Sequence, residues 1–241
     1  MKNRYFFFVI SILLVTSNHF IFSQEKTSNV DVALNVDFVS RYNWRGINLS
    51  NSSAIQPTLE FSCKNITLGS WASYTTALES MQEVDFYAKY SKGPVTLTLY
   101  DYFNPIEGGA SSPNYFNYSS DSTLHTIEAI AETEPFGKFP LSATVGVFIY
   151  GNDRDTVTGK NQYSTYLQLA YPFNIQKSEI NLFCGVTPAK GYYANKFNVV
   201  NVGLSVARDI EITDNFKVPI TGTLGVNPEL KNIYFVVGLT L

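Results

Sequence analysis

Cysteine, histidine and charge are all scarce in this 241-residue sequence. Its two cysteines cannot build a disulfide scaffold, and no Cys-x-x-Cys pair offers a zinc site. Its two histidines, His19 and His125, are too few for a multi-histidine metal centre. Charged residues make up 15%, against roughly 25% in soluble domains, which argues against an ordinary cytosolic enzyme. Acidic residues (20) outnumber basic ones (17), so the basic excess of a nucleic-acid binder is missing. What is plentiful is aromatic: 16 Tyr and 18 Phe.

The N-terminus reads as an export signal. Lys2 and Arg4 precede an apolar stretch from Tyr5 to Val15. That stretch is about 11 residues, short of the ~20 a spanning helix needs. A cut after Ser23 is expected, leaving residues 24–241 as one domain. No cysteine follows the apolar stretch before Cys63, so a lipid anchor is not expected.

Beyond the signal, no run of 18 apolar residues and no sustained helical period occurs. Period two recurs instead. Ile233, Phe235, Val237, Leu239 and Leu241 share one face; Tyr234, Val236, Gly238 and Thr240 share the other. About twelve such segments are predicted, near 30–43, 54–62, 65–75, 82–91, 94–103, 122–133, 140–151, 161–171, 178–187, 198–207, 217–226 and 231–241. Gaps alternate between long and short, with 208–216 an exception in length. Lys92-Gly93-Pro94, Asn104-Pro105 and Asn227-Pro228 punctuate them. Long loops at one rim and tight turns at the other are the habit of outer-membrane barrels.

In hydrocarbon every backbone N–H and C=O must be paired, which only helices and closed sheets achieve. The reading is therefore all-β: a transmembrane, antiparallel, up-and-down barrel of about 12 strands. Aromatics near segment ends on the apolar face fit an interfacial girdle: Tyr42, Phe61, Tyr74, Tyr90, Tyr163 and Tyr171. The chain also ends on an apolar strand, as clients of barrel-assembly machinery do. The competing structure is a soluble secreted β-protein with the same stripe facing inward.

The run Val36-Asp37-Phe38-Val39-Ser40-Arg41-Tyr42-Asn43-Trp44-Arg45-Gly46-Ile47 resembles the opening of the TorF-type porin family of Gram-negative bacteria. The family pattern Ser-x-Tyr-x-x-Arg-Gly-Ile/Val is met by Ser40, Tyr42, Arg45, Gly46 and Ile47. A Pro-containing strand follows (Gln56-Pro57), then Gly69-Ser70-Trp71-Ala72-Ser73, then Glu83-Val84-Asp85-Phe86-Tyr87. The resemblance covers about residues 31–105. It implies an outer-membrane barrel of porin type, and brings no substrate and no catalytic residues.

With the apolar parity outward, Asp37, Arg41, Glu60, Glu83, Asp85, Lys89, Glu128 and Glu132 line the lumen. Acids dominate, so a pore lined this way favours cations. Salt pairing of Arg41 and Lys89 would instead make an occluded, non-conducting structural or binding barrel. Arg45 is expected to anchor a loop through a carboxylate, and Gly46 to supply a turn.

A third class is a membrane-rim lipid hydrolase. His125 follows Ser119, Ser120, Asp121 and Ser122, but no recognisable signature surrounds them, so His125 is expected at the interface. Cys63 and Cys184 fall on the outward face of distant strands and are expected as free thiols. Asp153-Arg154-Asp155 reads as a solvated loop tip rather than a metal site. No catalytic, metal or cofactor residue is assigned. The expected partners are outer-membrane lipid, the assembly machinery, and small solutes or ions.

Overall fold

The computed structural model describes residues 29–77, 82–105 and 113–241; the expected export signal lies outside them. Every regular element among the described residues is a strand. The first is β1 (Val30–Val39), followed by a short hairpin of β2 (Tyr42–Trp44) and β3 (Ile47–Ser50). Then come β4 (Ala54–Cys63), β5 (Ile66–Thr75), β6 (Gln82–Lys92), β7 (Val95–Phe103), β8 (His125–Thr133) and β9 (Ser142–Gly151). The chain finishes with β10 (Thr165–Ile175), β11 (Ser178–Thr187), β12 (Asn198–Thr213), β13 (Phe216–Asn227) and β14 (Asn232–Thr240).

All but β2 and β3 form one closed antiparallel barrel of twelve strands in chain order. The seam pairs Asp37 with Thr240, Phe38 with Leu239 and Val39 with Gly238. Ser40 extends it: its N–H donates to the Val237 carbonyl at 2.8 Å, and its Oγ accepts from Val237 N–H at 3.0 Å. One rim carries two-residue turns, Lys64-Asn65, Gly93-Pro94, Gln176-Lys177 and Asp214-Asn215, plus the 134–141 connection. The other rim carries the longer connections.

Pro57 leaves a local gap in the β4–β5 ladder. The register passes from Ile55↔Tyr74 to Thr58↔Trp71, because proline has no N–H to donate. Gln56 Nε2 bridges the gap to Ser73 Oγ at 3.1 Å. Pro172 is tolerated for a related reason. The β9–β10 ladder ends at Ala170↔Ser142, so one edge of β10 is unpaired beyond that point.

Three expected boundaries shift by about four residues or more. The first strand stops at Val39 rather than 43, because the chain bends at Ser40 and Arg41 and re-pairs as β2. Strand β10 covers 165–175 rather than 161–171: Ser164 is held back by Asp153, which accepts from its N–H at 2.8 Å and its hydroxyl at 2.5 Å. Residues 208–216 are no loop. The ladder continues through Arg208↔Ile220 and Asp209↔Pro219 to Thr213↔Phe216, closing on a tight turn like its neighbours.

Alternation sorts the side chains inside out. Leu34 is 68% exposed, Leu68 55% and Phe235 61% on the outer surface, while Glu128 and Asp85 inside are 0% and 1% exposed. Phe61, Tyr74, Tyr90 and Tyr171 lie outside among the expected girdle residues. Tyr42 does not: the bend at Ser40–Arg41 turns it inward, where it is buried. Tyr163 lies in the 152–164 connection with φ of 55°, off the wall. The aromatic core is in the lumen: Phe148, Tyr166, Tyr193 and Val200, with Trp44, Ile47 and Tyr102 against them.

Candidate functional site

The β2–β3 hairpin crosses the lumen because of its turn. Trp44 pairs with Ile47, leaving Arg45 and Gly46 as a two-residue loop with φ of 49° and 80°. Positive φ at both positions is the tight hairpin geometry that matches strand twist. A Cβ at Gly46 would lie 2.6 Å from the Val200 carbonyl oxygen, so glycine is needed for closeness as well as for φ. Asn227 Nδ2 donates to the Gly46 carbonyl at 3.2 Å, fixing the tip against the end of β13.

Arg45 is strained in that conformation, and its side chain is held from several directions. Nη1 donates to Glu128 Oε1 at 2.6 Å and Nη2 to Oε2 at 3.1 Å, a fork-to-carboxylate pair. Nη1 also donates to the Tyr193 hydroxyl at 2.5 Å, and Tyr102 donates to Glu128 Oε2 at 2.7 Å. The guanidinium carbon lies 4.4 Å from the Trp44 ring centre and 4.7 Å from that of Tyr166, within cation–π range. Burial pushes the Tyr193 phenol well above its usual pKa, against the pull of Arg45. On the wall, Gly146 leaves room for this pair: a Cβ there would meet Glu128 Oε1 at 2.2 Å.

The other candidate lumen residues divide into paired and unpaired groups. Lys89 Nζ lies 2.9 Å from Glu60 Oε1, which also accepts from Tyr87 at 2.8 Å. Asp37 accepts from Thr240 at 2.5 Å. Arg41, Asp85, Lys89 and Glu132 border a cavity of about 450 Å³ with Tyr42 and Trp44. Glu83 borders a smaller cavity of about 130 Å³ on the other side of the hairpin. Trp44 faces both cavities, and Arg45 borders a third of about 260 Å³. The hairpin therefore partitions the lumen. Among the described residues, Arg41, Glu83, Asp85 and Glu132 make no salt bridge.

The resemblance motifs meet here. Tyr42 packs on Trp71 at 5.5 Å between ring centres, and Gly69 sits beneath the Tyr87 ring. Ser40 closes the seam, while Arg45 and Gly46 form the tip. The carboxylate expected for Arg45 is Glu128. Tyr102, Tyr166 and Tyr193 complete its surroundings, and nothing local to those residues links them to Arg45.

His125 is fully buried, not at the interface. Its Nδ1 lies 2.8 Å from Asp101 Oδ1 and its Nε2 2.6 Å from the Tyr115 carbonyl oxygen. Tyr118 stacks on it at 4.0 Å and donates to Asp101 at 2.8 Å. Among the described residues no serine hydroxyl bonds either ring nitrogen, so the constellation pins the 113–124 connection. Asp153 and Asp155 turn to different partners: Ser164 for the first, Lys190 at 2.7 Å for the second. Cys63 and Cys184 are both free thiols.

A family model described as "Bacterial protein of unknown function (Gcw_chp)" matches residues 23–217. No curated protein matches the chain.

Proposed function

The chain belongs to the Gcw_chp family of bacterial proteins of unknown function, and we propose that it is an outer-membrane barrel of porin type, constricted by its own hairpin. In this reading it passes small solutes or ions passively, prefers cations and performs no catalysis. The observation that carries it is the inverted burial: an apolar outer wall around carboxylates and an aromatic-lined interior. In water, each exposed Leu or Phe would forgo about 1.5–3 kcal/mol of burial. Against acyl chains the same wall is solvated. Strands of 9 to 12 residues, with β12 longer at 16, suit a tilted crossing of the hydrocarbon. The likeness of residues 31–105 to TorF-type porins supports the same assignment.

Constriction follows from the Arg45–Glu128 pair, which spans the interior. Selectivity follows from what remains unpaired, since Glu83, Asp85 and Glu132 outnumber Arg41. Like-sign walls raise the barrier to anions more than to cations. The export signal of residues 1–23 and biogenesis through barrel-assembly machinery belong to this proposal.

The test is reconstitution in a planar bilayer under a potassium chloride gradient. Expected are small conductance steps and a reversal potential toward that of the cation. A chain that stays monodisperse in buffer without amphiphile overturns the membrane assignment. An anion-side reversal potential overturns the selectivity.

A further inference from the structure

We infer that the cavity on the outer side of the hairpin is a binding site for a small organic cation, with Glu83 as its counter-charge. The inference deepens the pore reading by naming a solute class and rests on that reading for its physiological meaning. Two independent features point to it. The walls are aromatic: Tyr42, Trp44, Tyr102, Phe148 and Tyr192 border a cavity of about 130 Å³. Ring faces attract cations through their quadrupole, most strongly where water is excluded. The second feature is a carboxylate without enough partners. Glu83 borders the same cavity and is 2% exposed. Tyr42 and the Asp85 carboxyl lie within hydrogen-bonding reach of it, and among the described residues no N–H or cationic group donates to its Oε2.

Neighbouring charge increases the demand for a cation. Asp85 projects from the same face of β6, two residues on, and is 1% exposed. Its Oδ1 accepts from Phe103 N–H at 2.9 Å, and its Oδ2 has no partner. Two buried carboxyl groups on one face of a strand, close enough to hydrogen-bond each other, need a positive charge or a proton between them. Of the protein's own lumen cations, Arg45 is committed to Glu128 and Lys89 to Glu60, and Arg41 borders the larger cavity rather than this one. The chain also shows which cation chemistry these walls accept. Trp44 already holds the Arg45 guanidinium 4.4 Å from its ring centre, so a planar or alkylated nitrogen cation fits a second aromatic surface of the same cluster.

The experiment uses the full chain in detergent, with Trp71→Phe leaving Trp44 as the sole tryptophan of the two. Guanidinium is titrated against urea, its neutral isostere, and against sodium at matched ionic strength, following Trp44 fluorescence. The expected result is saturable quenching by guanidinium alone. Glu83→Gln should weaken it about tenfold or more, as loss of a buried counter-charge does. Tyr192→Leu, in a connection outside the barrel wall, should weaken it severalfold while leaving heat-modifiable gel mobility unchanged. Equal responses to guanidinium and urea, or full affinity in Glu83→Gln, overturn the site. Binding in detergent is independent of conductance, so this inference and the pore reading fail separately.

Discussion

Arg45 and Glu128 lie 83 residues apart in the chain, yet Nη1 and Oε1 meet at 2.6 Å inside the barrel. One comes from the tip of an inward hairpin and the other from the wall strand β8. Glu128 is fully buried and the Arg45 side chain 11% exposed. The contact joins two pieces of structure that the backbone leaves independent, because β2 and β3 pair with no wall strand.

Breaking one side of this pair leaves an uncompensated charge in a low-dielectric interior. Either Arg45→Ala or Glu128→Ala should therefore cost about 3–5 kcal/mol, and Arg45→Met with Glu128→Leu should recover most of it. Thermal conversion of the heat-modifiable gel band measures this. Additive losses in the double variant would show that the two side chains act separately.

Gly146 tests the same contact without touching either charge. Its absent Cβ is what leaves Glu128 Oε1 its place. Gly146→Val should displace the carboxylate and release the hairpin, lowering the transition as Arg45→Ala does. In an Arg45→Ala background the added valine should cost less, because coupled residues are not additive. An unchanged transition in the single variant contradicts the geometry.

The outer connections carry a pH signature. Lys190, with the Thr158 and Val157 N–H groups, holds Asp155 well below its ordinary 3.8. A depressed carboxylate stabilises above its unfolded pKa and loses that effect only as pH falls through the lower folded value. Asp153 is shifted the other way, raised from 3.8 by burial; its cost is relieved, not increased, by acid. The tie between residues 155 and 190 should thus survive at pH 3. Pepsin should spare the 188–197 connection there and cut it in Lys190→Ala. Equal cutting of both proteins would refute the tie.

Cys184 reports on the outer wall. It is exposed at mid-strand, in register with Leu169 and Val202. In liposomes an apolar maleimide should label it, and a charged methanethiosulfonate should not. Non-reducing and reducing gels should show the same mobility, since Cys63 lies on β4 and Cys184 on β11. Rapid labelling by the charged reagent would place that face in water.

Much of the wall was legible because period two is a local signal. Each strand states its own parity, and Lys92-Gly93-Pro94 and Asn227-Pro228 mark turns by residue type. The Asp214-Asn215 turn hid because Arg208, Asp209 and Glu211 are polar, although the ladder continues through them. The hairpin was not legible for a different reason. Tyr42-Asn43-Trp44 continues the alternation of β1, and only contacts with Glu128, Tyr193 and Val200 turn it inward. Those residues lie far along the chain, where no local pattern links them to Arg45.

The most direct test compares single-channel conductance of the wild type and Arg45→Ala in the same bilayer. The account predicts small, cation-selective steps for the wild type. For Arg45→Ala it predicts severalfold larger steps with selectivity retained, because the hairpin is freed while Glu83, Asp85 and Glu132 stay. Identical conductance in the two proteins would contradict a lumen constricted by this hairpin.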